Sequence, residues 1–532
     1  MDFDTRRLAR DAAILCAAIS ALGVVAWREL LFGAPIYELG DLAANAIQID
    51  NAKHLSELVG HYSRWGFHHP GPAFLYVYAA GEIVLHDWLR LSAAPHNAHL
   101  AIGLVLESFF LGLGVATLGQ LLAFSRRAFL AAGTAVAIAY LGLIDQPLFN
   151  LWPPTSLVLP FFLFVIGCAA LAAGWIGVLP VVVGAGSFLV HGHAAQPLFV
   201  VPMCGAAYVW GRAAWRRRAG GSALRGNLAS HVAALVVASP FVLTLALDAA
   251  RGPGSNLAAI LGSVGRGYHD LADVGSFISI LASFAAPIEG ILDPVSAAAA
   301  GLVPRPAVLI AWAMALGALP FVILRARRTE PNGPLASRLP TLLVYVAMAL
   351  VLVVLWVVIQ AGEMYAFNGW FVYGLLLVVV LVWVGLGLRL LERAVSPATA
   401  SATGMTALAV VGAMVVLVPV PTNRLYETGA AFHDAVGRLV ADIQVSRPIY
   451  FDYLWAPTWP DVAGAALELH RRGYTFLVQP GHASVVLGEA SAVEEVDLAI
   501  SYPTAITWRF VDMGQVPSAA PLSARLEVVI AP

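Results

Sequence analysis

Long apolar runs, separated by short clusters of arginine, dominate the chain up to about residue 420. They start near Ala12, His99, Ala128, Ser156, Trp175, Gln196, Val232, Ala307, Thr341, Phe371 and Ala402. Each reaches or approaches the ~20 residues that cross a bilayer as a helix, so the pattern predicts about eleven transmembrane helices. One further run, Pro72 to Leu89, is short and carries Glu82, His86 and Asp87. The arginines decide its place. If this run lies in the interface, then Arg126-Arg127, the group Arg212 to Arg225, the group Arg325 to Arg338, and Arg389 with Arg393 all fall on the same side as Arg6, Arg7 and Arg10. If it crosses, every later cluster moves outside, against the positive-inside tendency. Residues 72–89 are therefore predicted as an amphipathic interfacial helix, with the N-terminus cytoplasmic.

The pattern changes after residue 420. Charged residues return, and Arg424 to Val445 has helical periodicity. Pro448 to Tyr453 reads as a strand, Asp461 to Arg472 as a helix and Tyr474 to Val478 as a strand. Further strands are expected at Ala483–Leu487, Ala505–Phe510 and Arg525–Ile530. The predicted organisation is thus an α-helical polytopic membrane domain, 1–420, with a small extracytoplasmic α/β domain, 421–532.

Composition narrows the class. Of 532 residues, 60% are hydrophobic and 12% charged, about half the charge of a soluble domain. The formal net charge is -2 and the basic residues sit in short loops, which excludes a nucleic-acid face. The three cysteines, Cys16, Cys168 and Cys204, lie inside apolar runs and read as packing. No small-residue cleavage pattern follows the first run, so it is taken as an uncleaved span. Scarce lysine with abundant Ala, Val, Gly and Arg suggests a GC-rich bacterial genome, hence a bacterial inner (plasma) membrane.

Candidate chemistry concentrates in the first outer loop, 33–72. It holds Glu38, Asp41 and Asp50, the single lysine Lys53, Arg64, and the histidines His54, His61, His68 and His69. A carboxylate such as Asp41 can act as a general base toward a hydroxyl. Lys53, Arg64, His68 and His69 can hold a phosphate and offset the charge of a leaving group. A solvated polar loop accounts for the same letters, and Asp50 reads equally as a helix-face residue. Asp50, Tyr62, His191, His193, Arg266, Glu363, Tyr365 and Asn368 are candidate cavity or acceptor contacts. His191-Gly192-His193 has metal-ligand spacing without a cysteine or paired carboxylate nearby, so no metal ligand and no cofactor is assigned, and a divalent metal stays open without support. Gly252-Pro253-Gly254-Ser255-Asn256 is no phosphate-binding P-loop, because the following lysine is missing.

Asp41 after the first span, followed by His69-Pro70-Gly71-Pro72 opening an interfacial helix with Phe74, Tyr76 and Tyr78, resembles the GT-C superfamily of membrane glycosyltransferases. The resemblance is closest to the branch of the protein O-mannosyltransferases and the lipid A aminoarabinose transferase, and covers roughly Leu8 to Val200. It implies a catalytic base at Asp41, a basic residue near the donor phosphate at His69, a polyprenyl-phosphate sugar donor, inverting transfer on the outer face, and a glycan, glycolipid or protein acceptor. Departures are Leu42 after Asp41, where many members have Asp-Glu, and Asn150-Leu151-Trp152-Pro153-Pro154 in the second outer loop. Two alternatives stay open: a transporter or flippase of a lipid-linked or anionic substrate, and a glycan polymerase. The transporter reading expects repeated halves and ionisable residues within the spans, and neither pattern stands out.

Overall fold

The computed structural model describes residues 4–63, 65–144, 148–149, 151–219, 224–263, 306–359, 366–417, 424–441, 443, 446–453, 458–480, 487, 492–493, 501–502, 504–510 and 526–530. Two compact units emerge. One comprises Met1–Trp27, Gly103–Leu247 and Leu261–Pro419, the other Arg28–Ile102, Asp248–Ile260 and Val420–Pro532.

The first unit is a helical bundle, and the chain is a multi-pass membrane protein. Over all described residues, nine helices are long and apolar enough to cross a bilayer: Thr5–Gly33, Pro95–Leu121, Arg126–Leu143, Pro153–Ala172, Leu228–Ala249, Ile310–Thr329, Pro334–Ile359, Val372–Ala394 and Pro397–Leu417. The two other predicted spans also form helices. Ile176–Gly192 is shorter, and Pro197–Ala219 is diluted by Pro202 and the arginines of its last turns.

Val158–Ala172 is apolar all round and buried at every position, which puts it at the bundle centre. Its neighbour Val372–Ala394 approaches so closely that a side chain at Gly374 would come within 2.1 Å of the Val158 carbonyl oxygen, the small-residue packing of membrane helices. Phe161, Phe199, Phe371 and Trp356 fill the adjoining space, edge to face except for the tilted Trp356–Phe371 pair. Asp11, buried in the first helix, is held by Arg126, with Nε 2.8 Å from Oδ2.

The second unit joins the first polar loop to the C-terminal sheet. The strands β1 (Ile449–Asp452), β2 (Phe476–Leu477), β3 (Ile506–Phe510) and β4 (Leu526–Ile530) are ordered β2-β1-β3-β4. β1 runs parallel to β2 and β3, with Ile449 opposite Phe476 and Ile506, and β4 closes the edge antiparallel to β3. The helix Trp459–Arg471 makes the crossover from β1 to β2. The predicted helix from Arg424 ends at Val440. Leu487, expected at the end of a strand, is helical, and 483–486 lie outside the described residues.

The polar first loop contains the 13-residue helix Asp41–Lys53. Its small and amide residues show no apolar stripe to a hydropathy reading, yet it is buried nearly all round: Ala43, Ala44, Ala46, Ile47, Ile49 and Ala52 pack inward together with Asn45 and Gln48. It packs on both Trp459–Arg471 and the Ala73–Glu82 helix. Leu39, Ala43 and Ile47 thereby share one core with Phe432, Val462, Phe451 and Trp508. Gly464 keeps this contact close, since a Cβ there would lie 2.5 Å from Leu39 Cδ2 and displace that side chain. The run 72–89, predicted as an interfacial helix, is helical over Ala73–Glu82 and continues in a wider π turn over Ile83–Trp88. Its end leaves Trp88, Leu89 and Leu91 exposed, an apolar edge suited to a membrane interface.

Candidate functional site

The site lies within the second unit. Gly40, with φ of +57°, turns the chain into the Asp41–Lys53 helix, a backbone conformation that glycine adopts without a Cβ clash. Its amide donates to the Pro460 carbonyl at 3.1 Å. Asp41 consequently occupies the first helical position, where the helix dipole favours a carboxylate. Its Oδ1 accepts hydrogen bonds from the Tyr62 hydroxyl and, at 2.8 Å, from the Trp459 indole. The sequence pairs Asp41 with Tyr62 in one loop, whereas Trp459 comes from more than 400 positions away.

Gly60 to His69 folds back as a short hairpin. The Ser63 amide donates to Phe67 O at 2.9 Å, His69 N to His61 O at 2.7 Å and Gly60 N to His69 O at 2.8 Å. Gln48 braces it through Gly60 O at 2.9 Å. Asn256 clamps the returning strand: its Oδ1 accepts from the His68 amide at 2.7 Å, and its Nδ2 donates to His68 O at 2.9 Å and His69 O at 3.3 Å. Asn256 is itself fixed by buried Asp248, whose carboxylate accepts the amides of Asn256 and Leu257 at 3.2 and 2.9 Å. The glycine-rich segment before Asn256, which matches no phosphate loop, therefore positions the hairpin.

A buried charge relay runs beneath. Arg471 forms a two-pronged bond to Glu38, at 3.1 and 3.0 Å. His96 and His99 face the same carboxylate, with Nδ1 atoms 3.5 and 3.8 Å from Oε1. His99 Nε2 is 2.7 Å from Glu82 Oε2, and Lys53 lies 2.6 Å from Glu82 Oε1 and 2.9 Å from Asp87 Oδ2. Burial alone would push Glu38 up, yet Arg471 and the two imidazoles outweigh it and hold the carboxyl far below its usual range. Glu82 is likewise opposed by burial and held down to about 2 by His99 and Lys53. Burial opposes the Lys53 charge, and its two carboxylates overcome this and raise the ammonium. Asp50 is 3.0 Å from His470 Nε2, and that hydrogen bond holds its carboxyl below the usual range against its partial burial.

The remaining expected residues have their own places. His191 and His193 end the Leu179–Gly192 helix, and Asn368 sits in the Ala366–Gly369 turn, all within the first unit. Arg64, Asn150, Arg266, Glu363 and Tyr365 lie outside the described residues. Sequence reading missed Trp459, His470, Arg471, Asn256, His96 and His99 as partners of this site. Only the last two left a local signal, histidines three apart at a helix start. Glu38, His96 and His99 are also the group among the described residues whose ligand atoms all come within 4.8 Å of one another, as a metal site needs.

His61 gives a pH prediction. It is buried, and burial together with nearby His68 depresses its imidazole to about 3. Between about pH 6.5 and 3 the unfolded chain binds a proton that the folded chain does not, so stability falls with acidification, by about 2 kcal/mol at pH 5. His61→Gln is expected to shrink the drop in thermal midpoint of the nanodisc-held protein between pH 7 and 5. Equal slopes for the two proteins would count against a neutral buried His61.

No protein-family model matches the sequence, and no curated protein matches it significantly. Solved structures do match in fold. ArnT from Cupriavidus metallidurans bound to undecaprenyl phosphate superposes with a TM-score of 0.51 at 14% identity, covering 97% of this chain and 97% of that one. The same protein in the apo state gives 0.53 at 12% identity, over 97% and 98%. Spanning the bundle and the C-terminal sheet alike, this likeness shows that the chain has an ArnT-like fold.

Proposed function

We propose that this chain is a polyprenyl-phosphate-sugar-dependent glycosyltransferase acting on the outer face of a bacterial inner membrane, with its N-terminus cytoplasmic and residues 421–532 forming the extracytoplasmic domain. The observation that carries the reading is Asp41, oriented by Tyr62 and Trp459 at a helix start in a fold shared with a protein crystallised on undecaprenyl phosphate. In this reading Asp41 takes the proton of an acceptor hydroxyl or amine. The acceptor attacks the anomeric carbon from the face opposite the phosphate, and the sugar–oxygen bond breaks with its electron pair on the departing polyprenyl phosphate, inverting the centre.

Arg64, His68 and His69 are assigned to that phosphate, where charge-assisted hydrogen bonds stabilise the leaving group. Lys53 has three donors, and Glu82 and Asp87 engage it already, so its share in binding the phosphate is smaller. Asp50, His191, His193, Arg266, Glu363, Tyr365 and Asn368 stay as acceptor or cavity candidates. The acceptor is a cell-envelope glycan, glycolipid or protein.

The test is binding and turnover by the purified protein in nanodiscs against a panel of polyprenyl-phosphate sugars. One donor is expected to bind saturably and to release polyprenyl phosphate when an acceptor is present. Arg64→Ala and His69→Ala should each weaken donor binding about tenfold or more, as loss of a hydrogen bond to a charged group does. Absence of binding by every donor, with substrate flux into proteoliposomes instead, would overturn the transferase in favour of a transporter.

A further inference from the structure

The helix Pro95–Leu121 begins with His96-Asn97-Ala98-His99, which places two imidazoles three apart on one helix face. Asn97 fixes that first turn to the incoming chain, with Oδ1 accepting the Ile36 amide at 3.1 Å and Nδ2 donating to Leu30 O and Ala34 O at 2.7 and 3.0 Å. Both imidazoles are thereby held against Glu38, and all three side chains are buried.

The protonation pattern of His99 is set by its surroundings. Nε2, 2.7 Å from Glu82 Oε2, carries the proton and donates it, so in the neutral ring Nδ1 presents a lone pair. That nitrogen is buried and has no hydrogen-bond partner. It faces Glu38 Oε1 at 3.8 Å, a separation too long for a proton to bridge. Two electron-rich atoms thus face each other inside the protein, and His96 Nδ1 lies within hydrogen-bonding reach of the same oxygen, 3.5 Å away.

A metal ion spans such gaps. Two bonds of about 2.0–2.1 Å reach across about 3.3 Å at a tetrahedral angle and about 4 Å when opened out. Arg471 occupies one lone pair on each Glu38 oxygen, and Oε1 keeps a second one on the imidazole side. The hydrogen bond from His99 to Glu82 is the carboxylate–histidine support that metal-bound imidazoles use. Charge points the same way. Glu38, Glu82 and Asp87 against Arg471 and Lys53 leave the cluster one negative charge with both imidazoles neutral, which favours a divalent cation carrying an anionic or ionised-water fourth ligand.

We propose that Glu38, His96 and His99 form a binding site for a divalent first-row metal ion of the zinc class, a two-histidine, one-carboxylate set that pins the segment before Asp41 to the Pro95–Leu121 helix. The proposal stands apart from the transfer reading, and its test reads metal directly. The full chain, purified without a polyhistidine tag into nanodiscs and stripped with chelator, is titrated with Co2+ as the spectroscopic probe and Zn2+ as competitor. One equivalent of Co2+ with visible ligand-field bands, displaced by Zn2+, is expected. His99→Ala and His96→Ala should lose the bands, and His86→Ala, outside the site, should keep them. Lack of stoichiometric Co2+ binding by the wild type overturns the proposal whatever the variants do. Unchanged bands in both His96→Ala and His99→Ala would overturn it as well. Should either variant aggregate, X-ray absorption of the zinc-loaded wild type decides: two imidazoles on the metal support the site, and a coordination shell without imidazole refutes it.

Discussion

Asp41→Asn is expected to lose transfer by about 10²- to 10⁴-fold, the usual contribution of a general base, while folding and donor affinity stay near wild type. The isosteric change supports this separation. Tyr62 and Trp459 both donate to Oδ1 of Asp41, and an asparagine carbonyl in the same position accepts both bonds. The side chain therefore keeps its orientation at the helix start and loses only the basic oxygen. Loss of the negative charge from the first helical position costs little, since such dipole terms are about 0.3–1 kcal/mol. Single-turnover release of polyprenyl phosphate, set beside equilibrium donor binding, makes the measurement. Full turnover in the variant would remove Asp41 from the chemistry, and parallel loss of donor binding would recast it as a binding residue.

Much of this architecture was legible in the chain because burial in lipid leaves a strong local mark. The apolar runs from Ala12 to Ala402 all became helices, and the short polar-tipped run at Pro72 became a short helix with a π turn at its end. β1, β3 and β4 were readable from alternation at Pro448, Ala505 and Arg525. The Asp41–Lys53 helix was not. Its buried positions are four alanines, two isoleucines and two amides, so its burial comes from tight packing between two helices rather than from a long apolar stripe. The site was legible only on its near side. Asp41, Tyr62 and the hairpin histidines share one polar stretch, so proximity in sequence gave proximity in space. Trp459, His470 and Arg471 reach the same cluster through the crossover helix of the C-terminal sheet, and nothing in the local letters of residues 459–471 distinguishes a solvent-facing arginine from one that neutralises a buried glutamate.

That neutralisation sets the second large effect. Glu38 has no exposed side-chain surface, and Arg471 binds both of its oxygens. Arg471→Met keeps most of the packing volume and removes the cation, leaving a buried carboxylate without its main partner. Breaking a buried pair in this way costs about 3–5 kcal/mol, enough to threaten a marginally stable fold. The sign of the pH dependence distinguishes this cause from lost packing. In the wild type the Glu38 carboxyl is held below its unfolded value, so its contribution is full above about pH 4.3 and declines as pH falls through the lower folded value. In Arg471→Met burial dominates and the carboxyl shifts up, so the folded state takes up a proton before the unfolded one. The deficit of the variant is then largest at neutral pH and shrinks on acidification toward pH 5. Thermal midpoints of chelator-stripped wild type and Arg471→Met in nanodiscs, measured at pH 7.5 and 5, should converge by several degrees. A gap independent of pH would mean that Arg471 matters through its packed stem rather than its charge, and Glu38→Gln placed on the Arg471→Met background would then restore nothing. If charge is the cause, the double variant recovers part of the loss at pH 7.5, because the buried group no longer needs a counter-ion.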